Sequence, residues 1–157
     1  MNDARSAFRS IWIYAAAVAL FSLIPCRLIG QEKADIVKGK PLYERLGGKG
    51  AIVAVVNQFV ANVAADTSIN RYFAHTNIPR LKTMLVDQIC QAAGGPCTYR
   101  GRDMKSTHRG MGITTREFNN LVGDLVSALD KFKVGEKEKG ELLAALGPMK
   151  RDIVEKP

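Results

Sequence analysis

Gly94-Gly95-Pro96-Cys97-Thr98-Tyr99-Arg100-Gly101-Arg102-Asp103-Met104-Lys105-Ser106-Thr107-His108 is the stretch on which the reading of this 157-residue chain turns. It opens on a double-glycine break, crosses an aperiodic loop from Cys97 to Asp103, and delivers one of only two histidines into a short helix around residues 104–109. A neutral imidazole is the side chain most used to hold a metal, provided its neighbours supply a pocket. Gly110 and Gly112 end the short helix immediately after His108.

Upstream, the pattern is helical. Leu42-Tyr43-Glu44-Arg45-Leu46 makes one turn, and Gly47-Gly48 ends it with conformations that Cβ-bearing residues resist. Ile52, Val55, Val56, Phe59, Val60 and Val63 recur every three or four residues, the spacing of one broad helix face, and that helix ends near Asp66. A short helix through Arg71-Tyr72-Phe73 follows. His75-Thr76-Asn77 then reads as a turn, which makes His75 a solvent-facing residue, and Pro79 suits the first turn of the next helix. That helix carries Leu81, Leu85 and Ile89, with Met84 and Val86 beside them, and Gly94-Gly95-Pro96 stops it.

Downstream, Thr114 and Glu117 form a capping box that starts a long helix with Phe118, Leu121, Val122, Leu125 and Leu129 on its buried side. A last helix is expected over residues 136–154, burying Leu142, Leu143, Leu146, Met149 and Ile153. No segment alternates with a strand's period of two. The expectation is an all-α domain over residues 42–157.

The first thirty residues have another character. Arg5 and Arg9 precede an almost wholly apolar run from Ile11 to Ile24, and Pro25-Cys26-Arg27 breaks it: the pattern of a signal peptide, or of a membrane anchor if it is not cleaved. Residues 31–41 are polar and read as a linker. Export, periplasmic or extracellular, is the expected localisation, with possible membrane association through this segment. Without residues 1–30 the net charge falls from +8 to +6. The remaining lysines and arginines are scattered singly and lack interleaved aromatics, which argues against nucleic-acid binding. Cys90 and Cys97 both survive export, and two readings stay open for them: a disulfide, or two thiols with Cys90 in the core.

Taken in order, Leu42-Tyr43-Glu44-Arg45-Leu46-Gly47-Gly48, Arg71-Tyr72-Phe73, Gly94-Gly95-Pro96, Tyr99, Met104-Lys105, His108, Gly112-Ile113-Thr114 and Phe118 closely resemble the group I truncated haemoglobins, over roughly residues 41–154. The resemblance implies a two-over-two helical sandwich around haem b. It also implies His108 as proximal iron ligand, Phe73 packed on the haem face, and Leu81, Tyr99, Met104, Ile113 and Phe118 around the porphyrin. Apolar walls suit a large planar cofactor, because burial at about 25 cal/mol per Å² is its main source of affinity. No Cys-x-x-Cys-His sequence occurs, so thioether attachment of the c type is excluded. Lys105 and Arg109, close to His108, are candidates to meet the acidic propionates.

The far side of the iron departs from the family. Val60 stands where members commonly have a tyrosine, and Leu85 where they often have a glutamine. Neither donates a hydrogen bond, and a donor aimed at a partly negative ligand contributes roughly 1.5–3 kcal/mol. Reversible binding of a diatomic gas (oxygen, nitric oxide or carbon monoxide) is therefore the leading expectation, with fast oxygen release. Two rivals use the same pocket: a redox protein acting on nitric oxide or nitrite with a reductase as partner, and electron transfer with Met84 as sixth ligand. Against ligation, Met84 also reads as a gap filler on an apolar stripe. A haem-free interaction domain is the third class, and it has no need of a central pocket.

Overall fold

A computed structural model describes residues 39–157; the apolar leader and most of the linker lie outside them. The elements in order are α1 (Leu42–Arg45), α2 (Gly48–Ala65), a 3-10 turn (Asn70–Phe73), α3 (Ile78–Ala92), α4 (Met104–His108), α5 (Thr115–Lys131), α6 (Glu136–Leu146), a second 3-10 turn (Gly147–Met149) and α7 (Lys150–Ile153). Among the described residues there is no strand. One isolated parallel bridge joins Thr114 to Lys156.

The helices stack as two over two. α2 packs along both α3 and α5, while α3 also reaches α6, so the α2–α3 layer lies over the α5–α6 layer. The apolar stripe on α2 is why: Ile52, Val55, Val56, Phe59, Val60 and Val63 are all buried, with Val56 wholly so. Leu125, Ala128 and Leu129 of α5 and Leu142 of α6 complete this core.

Local signals set the ends of these elements. Gly47 and Gly48 both take the left-handed conformation, with φ of 93° and 73°. The Asn77 side chain caps α3 by accepting from the Arg80 N–H, with proline in the first turn. Thr114 and Glu117 make the expected capping box on α5. Arg45 ties α1 to α6 by ion pairs to Glu138 (2.6 Å) and Glu141.

The long final helix is corrected. It breaks at Gly147–Met149, because Pro148 has no N–H to give and its ring crowds the carbonyl four residues back. The 3-10 turn redirects the chain, and α7 then packs on α4.

Cys90 and Cys97 form a disulfide, their Cα atoms 5.7 Å apart, so the end of α3 is fastened to the loop that leads to His108. Gly95 lies inside this fastening. A Cβ on it would come within 2.4 Å of Tyr43 Cδ2 and 2.7 Å of Cys90 Sγ, so Gly95 is needed for close approach, whereas Gly94 has open space and serves a left-handed φ of 76°.

Candidate functional site

α3 supplies one wall of an internal chamber. Leu81, Met84, Leu85 and Gln88 follow helical spacing and share the inward side of that helix. Opposite them stands α4, a helix of five residues whose Asp103 cap accepts from the Ser106 N–H at 2.8 Å. Ser106, through its hydroxyl and its N–H, holds the Asp103 carboxyl below the usual carboxylate range.

The chamber has two adjoining parts. The inner one, about 250 Å³, is bordered by Val60, Leu85, Gln88 and Met104. The outer one, about 430 Å³, is bordered by Arg80, Arg102, Met111 and Ile113. Phe73, Leu81, Met84, Tyr99, His108 and Phe118 border both. Residues scattered over 46 positions of sequence, from Phe73 to Phe118, are thus brought to one place, and each candidate wall residue borders at least one part.

His108 is half-buried at the junction. Its Nδ1 lies 2.8 Å from the Met104 carbonyl oxygen. A carbonyl only accepts, so Nδ1–H donates, and whenever the ring is neutral its lone pair is therefore on Nε2. That is the arrangement a metal-bound histidine needs. His75, by contrast, is exposed in its turn.

Tyr99 is held as a wall. Its backbone N–H donates to Gln91 Oε1 at 2.7 Å and its hydroxyl donates to the Arg102 carbonyl at 3.0 Å. Gly101 makes room beneath it, since a Cβ there would fall 2.1 Å from the Tyr99 hydroxyl.

The inner part has polar groups among its lining, and each is engaged elsewhere. Gln88 Nε2 donates to the sulfurs of Met149 (3.2 Å) and Met104 (3.7 Å). The Thr107 hydroxyl donates to the Asp103 carbonyl at 2.7 Å. Tyr99 and His108 Nδ1 are committed as described. Within the inner part, none of these four groups is left free to replace the donors that Val60 and Leu85 lack.

Charge sits at the outer rim. Arg80 and Arg102 border the outer part, whereas Lys105 and Arg109, the candidates read from the sequence, border neither part. The reason is helical phase: on α4 the inward positions go to Met104, Thr107 and His108, and Lys105 is turned outward. At the same rim Glu117 is held down to about 2 by the Thr114 N–H, the Thr114 hydroxyl and Arg71. Burial, and then Glu117 itself, pushes the neighbouring Tyr72 hydroxyl up.

Several lining residues went unread in the sequence. Gln88 was legible, because it extends the Leu81, Met84 and Leu85 series by one turn. Met149 and Ile153 were read only as core; the break at Pro148 is what turns them to the chamber. The residues present fit a haem: flat apolar walls, one bare imidazole nitrogen at their centre, and two arginines at the open edge.

Comparison with known proteins agrees. The model of the bacterial-like globin family matches residues 41–155. The group 1 truncated haemoglobin of Mycolicibacterium paratuberculosis is 38% identical over 112 residues, covering 71% of this chain and 82% of that one. Among solved structures, truncated haemoglobin from Tetrahymena pyriformis in its Fe(III) form superposes with a TM-score of 0.71 at 26% identity, covering 73% of this chain and 98% of that one. The two-over-two haemoglobin of Synechococcus, solved in the cyanomet state with covalently attached haem, gives 0.69 at 29% identity, with the same coverage. The chain therefore belongs to the bacterial-like globin family, with the fold and the iron-bearing haem cofactor of the group 1 truncated haemoglobins.

Proposed function

We propose that this globin reversibly binds a diatomic gas at a haem iron held by His108. The observation that carries the reading is the 2.8 Å contact from His108 Nδ1 to the Met104 carbonyl, which aims the ring's proton away and leaves Nε2 for the iron. Haem held there would supply an iron able to take up a diatomic gas. The chain supplies the rest. Phe73, Leu81, Tyr99 and Phe118 clamp an apolar ring and keep water out, Arg80 and Arg102 answer acidic groups at the rim, and Val60 and Leu85 leave the ligand side without a donor.

Met84 supports a second reading. It borders both parts of the chamber beside His108, so its thioether is a candidate sixth ligand in an electron-transfer protein. Absorption spectra of the haem-loaded chain separate the two. A high-spin reduced form that takes up carbon monoxide is expected for the gas-binding globin; a sharp low-spin reduced spectrum unchanged in Met84→Leu would refute both. His108→Gly should lose the wild-type spectrum and regain it with added imidazole. A wild-type spectrum without imidazole means that another residue is the ligand.

We also infer export. The leader motivates it, and the Cys90–Cys97 disulfide supports it, since such bonds persist in oxidising compartments. A C-terminal alkaline phosphatase fusion should be active; an inactive fusion in a strain that produces it stably would refute export.

A further inference from the structure

The segment after α7 returns to the turn that follows His108. Glu155 Oε1 accepts from the Gly110 N–H at 2.7 Å, and Oε2 from the Gly112 N–H at 2.6 Å. The backbone closes the same junction: the Glu155 and Lys156 N–H groups donate to the Ile113 carbonyl (2.9 and 3.1 Å), and the Thr115 N–H donates to the Lys156 carbonyl at 3.0 Å.

This turn needs an outside partner. α4 ends at His108, and Gly110 and Gly112 are left-handed (φ 79° and 66°), so their N–H groups leave the helical ladder and find no acceptor within it. One carboxylate takes both. Those N–H groups in turn hold the Glu155 carboxyl below the usual carboxylate range. The strap also joins two chamber walls, because Ile153 lies two residues before Glu155 and Ile113 accepts its backbone bonds.

We propose that Glu155 is a positioning residue for the iron ligand, its carboxylate holding the 109–113 turn so that His108 keeps one height and one tilt against the chamber. The inference rests on His108 being that ligand. A five-residue helix has too little ladder of its own to fix its last side chain, so the register of that side chain is set by whatever anchors the next turn. Here the anchor is 47 residues away in sequence and two hydrogen bonds away in space.

The test uses the full chain loaded with haem, as wild type, Glu155→Ala and Glu155→Gln. Two readouts report on the ligand itself: the iron–histidine stretching band of the reduced protein, and the rate of haem transfer to an excess of a haem-scavenging apoglobin. Glu155→Ala should shift or broaden the band and speed haem loss by about tenfold, the loss of roughly one charged hydrogen bond. Glu155→Gln, which keeps an acceptor of the same size, should fall between. A band unmoved and a haem-loss rate within twofold in both variants overturns the proposal, even if the melting temperature of the haem-free chain falls, because that pattern is a structural role alone. If Glu155→Ala does not fold, Glu155→Gln decides by the same criteria. His108→Gly with imidazole rescue is run in parallel: its failure removes the ligand reading and this proposal with it, while its success beside unmoved Glu155 variants removes the proposal alone.

Discussion

Leu85→Gln should slow oxygen release from the reduced, haem-loaded protein. Leu85 and Val60 line the inner part of the chamber with His108, Leu85 half-buried and Val60 buried, so a donor placed at position 85 is in reach of a ligand in the chamber. The four polar lining groups are committed to Arg102, Asp103, Met104 and Met149, which means that the wild-type rate is that of a pocket with no donor. A hydrogen bond to a partly negative ligand contributes about 1.5–3 kcal/mol. At 1.36 kcal/mol per decade of rate, the oxygen off-rate should fall by roughly 10- to 150-fold. Stopped-flow displacement of oxygen by carbon monoxide measures it, and the carbon monoxide off-rate should move much less. Gln88→Leu is the control. Its amide rests on two thioethers, which are weak acceptors, so it is the lining group most easily recruited. An off-rate that rises severalfold in Gln88→Leu, or stays unchanged in Leu85→Gln, would refute the reasoning that this pocket lacks a donor.

Three further outcomes test the frame around the pocket. Gly95→Ala forces a Cβ against Tyr43 and Cys90 Sγ and should cost about 1–3 kcal/mol, a drop of several degrees in thermal midpoint; an unchanged midpoint would mean that Tyr43 yields freely. Replacing Cys90 and Cys97 together by alanine releases a cross-link with a sequence separation of 7. Chain entropy puts that loss at about 2.5 kcal/mol, measurable as a lower denaturant midpoint against the oxidised wild type. Glu117 ties acid stability to the rim. Its folded value near 2 lies below the ordinary 4.5, so the ionised form favours the native state. That contribution is complete above about pH 4.5 and drains away as pH falls toward 2. Glu117→Gln should therefore flatten the fall of the melting temperature across that window; a slope equal to wild type assigns the acid sensitivity elsewhere.

Helices, caps and breaks were legible in the sequence because they are written in neighbours: the three-and-four spacing of the α2 stripe, the Thr114–Glu117 box and the double glycines are each complete within a few residues. Much of the pocket's lining was legible too: Phe73, Leu81, Tyr99, Met104, His108, Ile113 and Phe118 follow the order of a known family, Met84 and Leu85 follow the helical spacing from Leu81, and all of them border the chamber. What only the tertiary structure decided depends on groups far apart in the chain or on angles between elements. The choice between a disulfide and two thiols turned on a Cα separation that no spacing specifies. That Lys105 faces away from the chamber turned on the phase of α4, and the hydrogen-bonding of the His108 ring on the Met104 carbonyl coming within 2.8 Å of Nδ1. Glu155 reads in sequence as an ordinary exposed acid near the end of the described residues. It becomes an anchor for the turn after His108 only because Pro148 breaks the last helix and brings the strand of chain behind it back to Gly110 and Gly112.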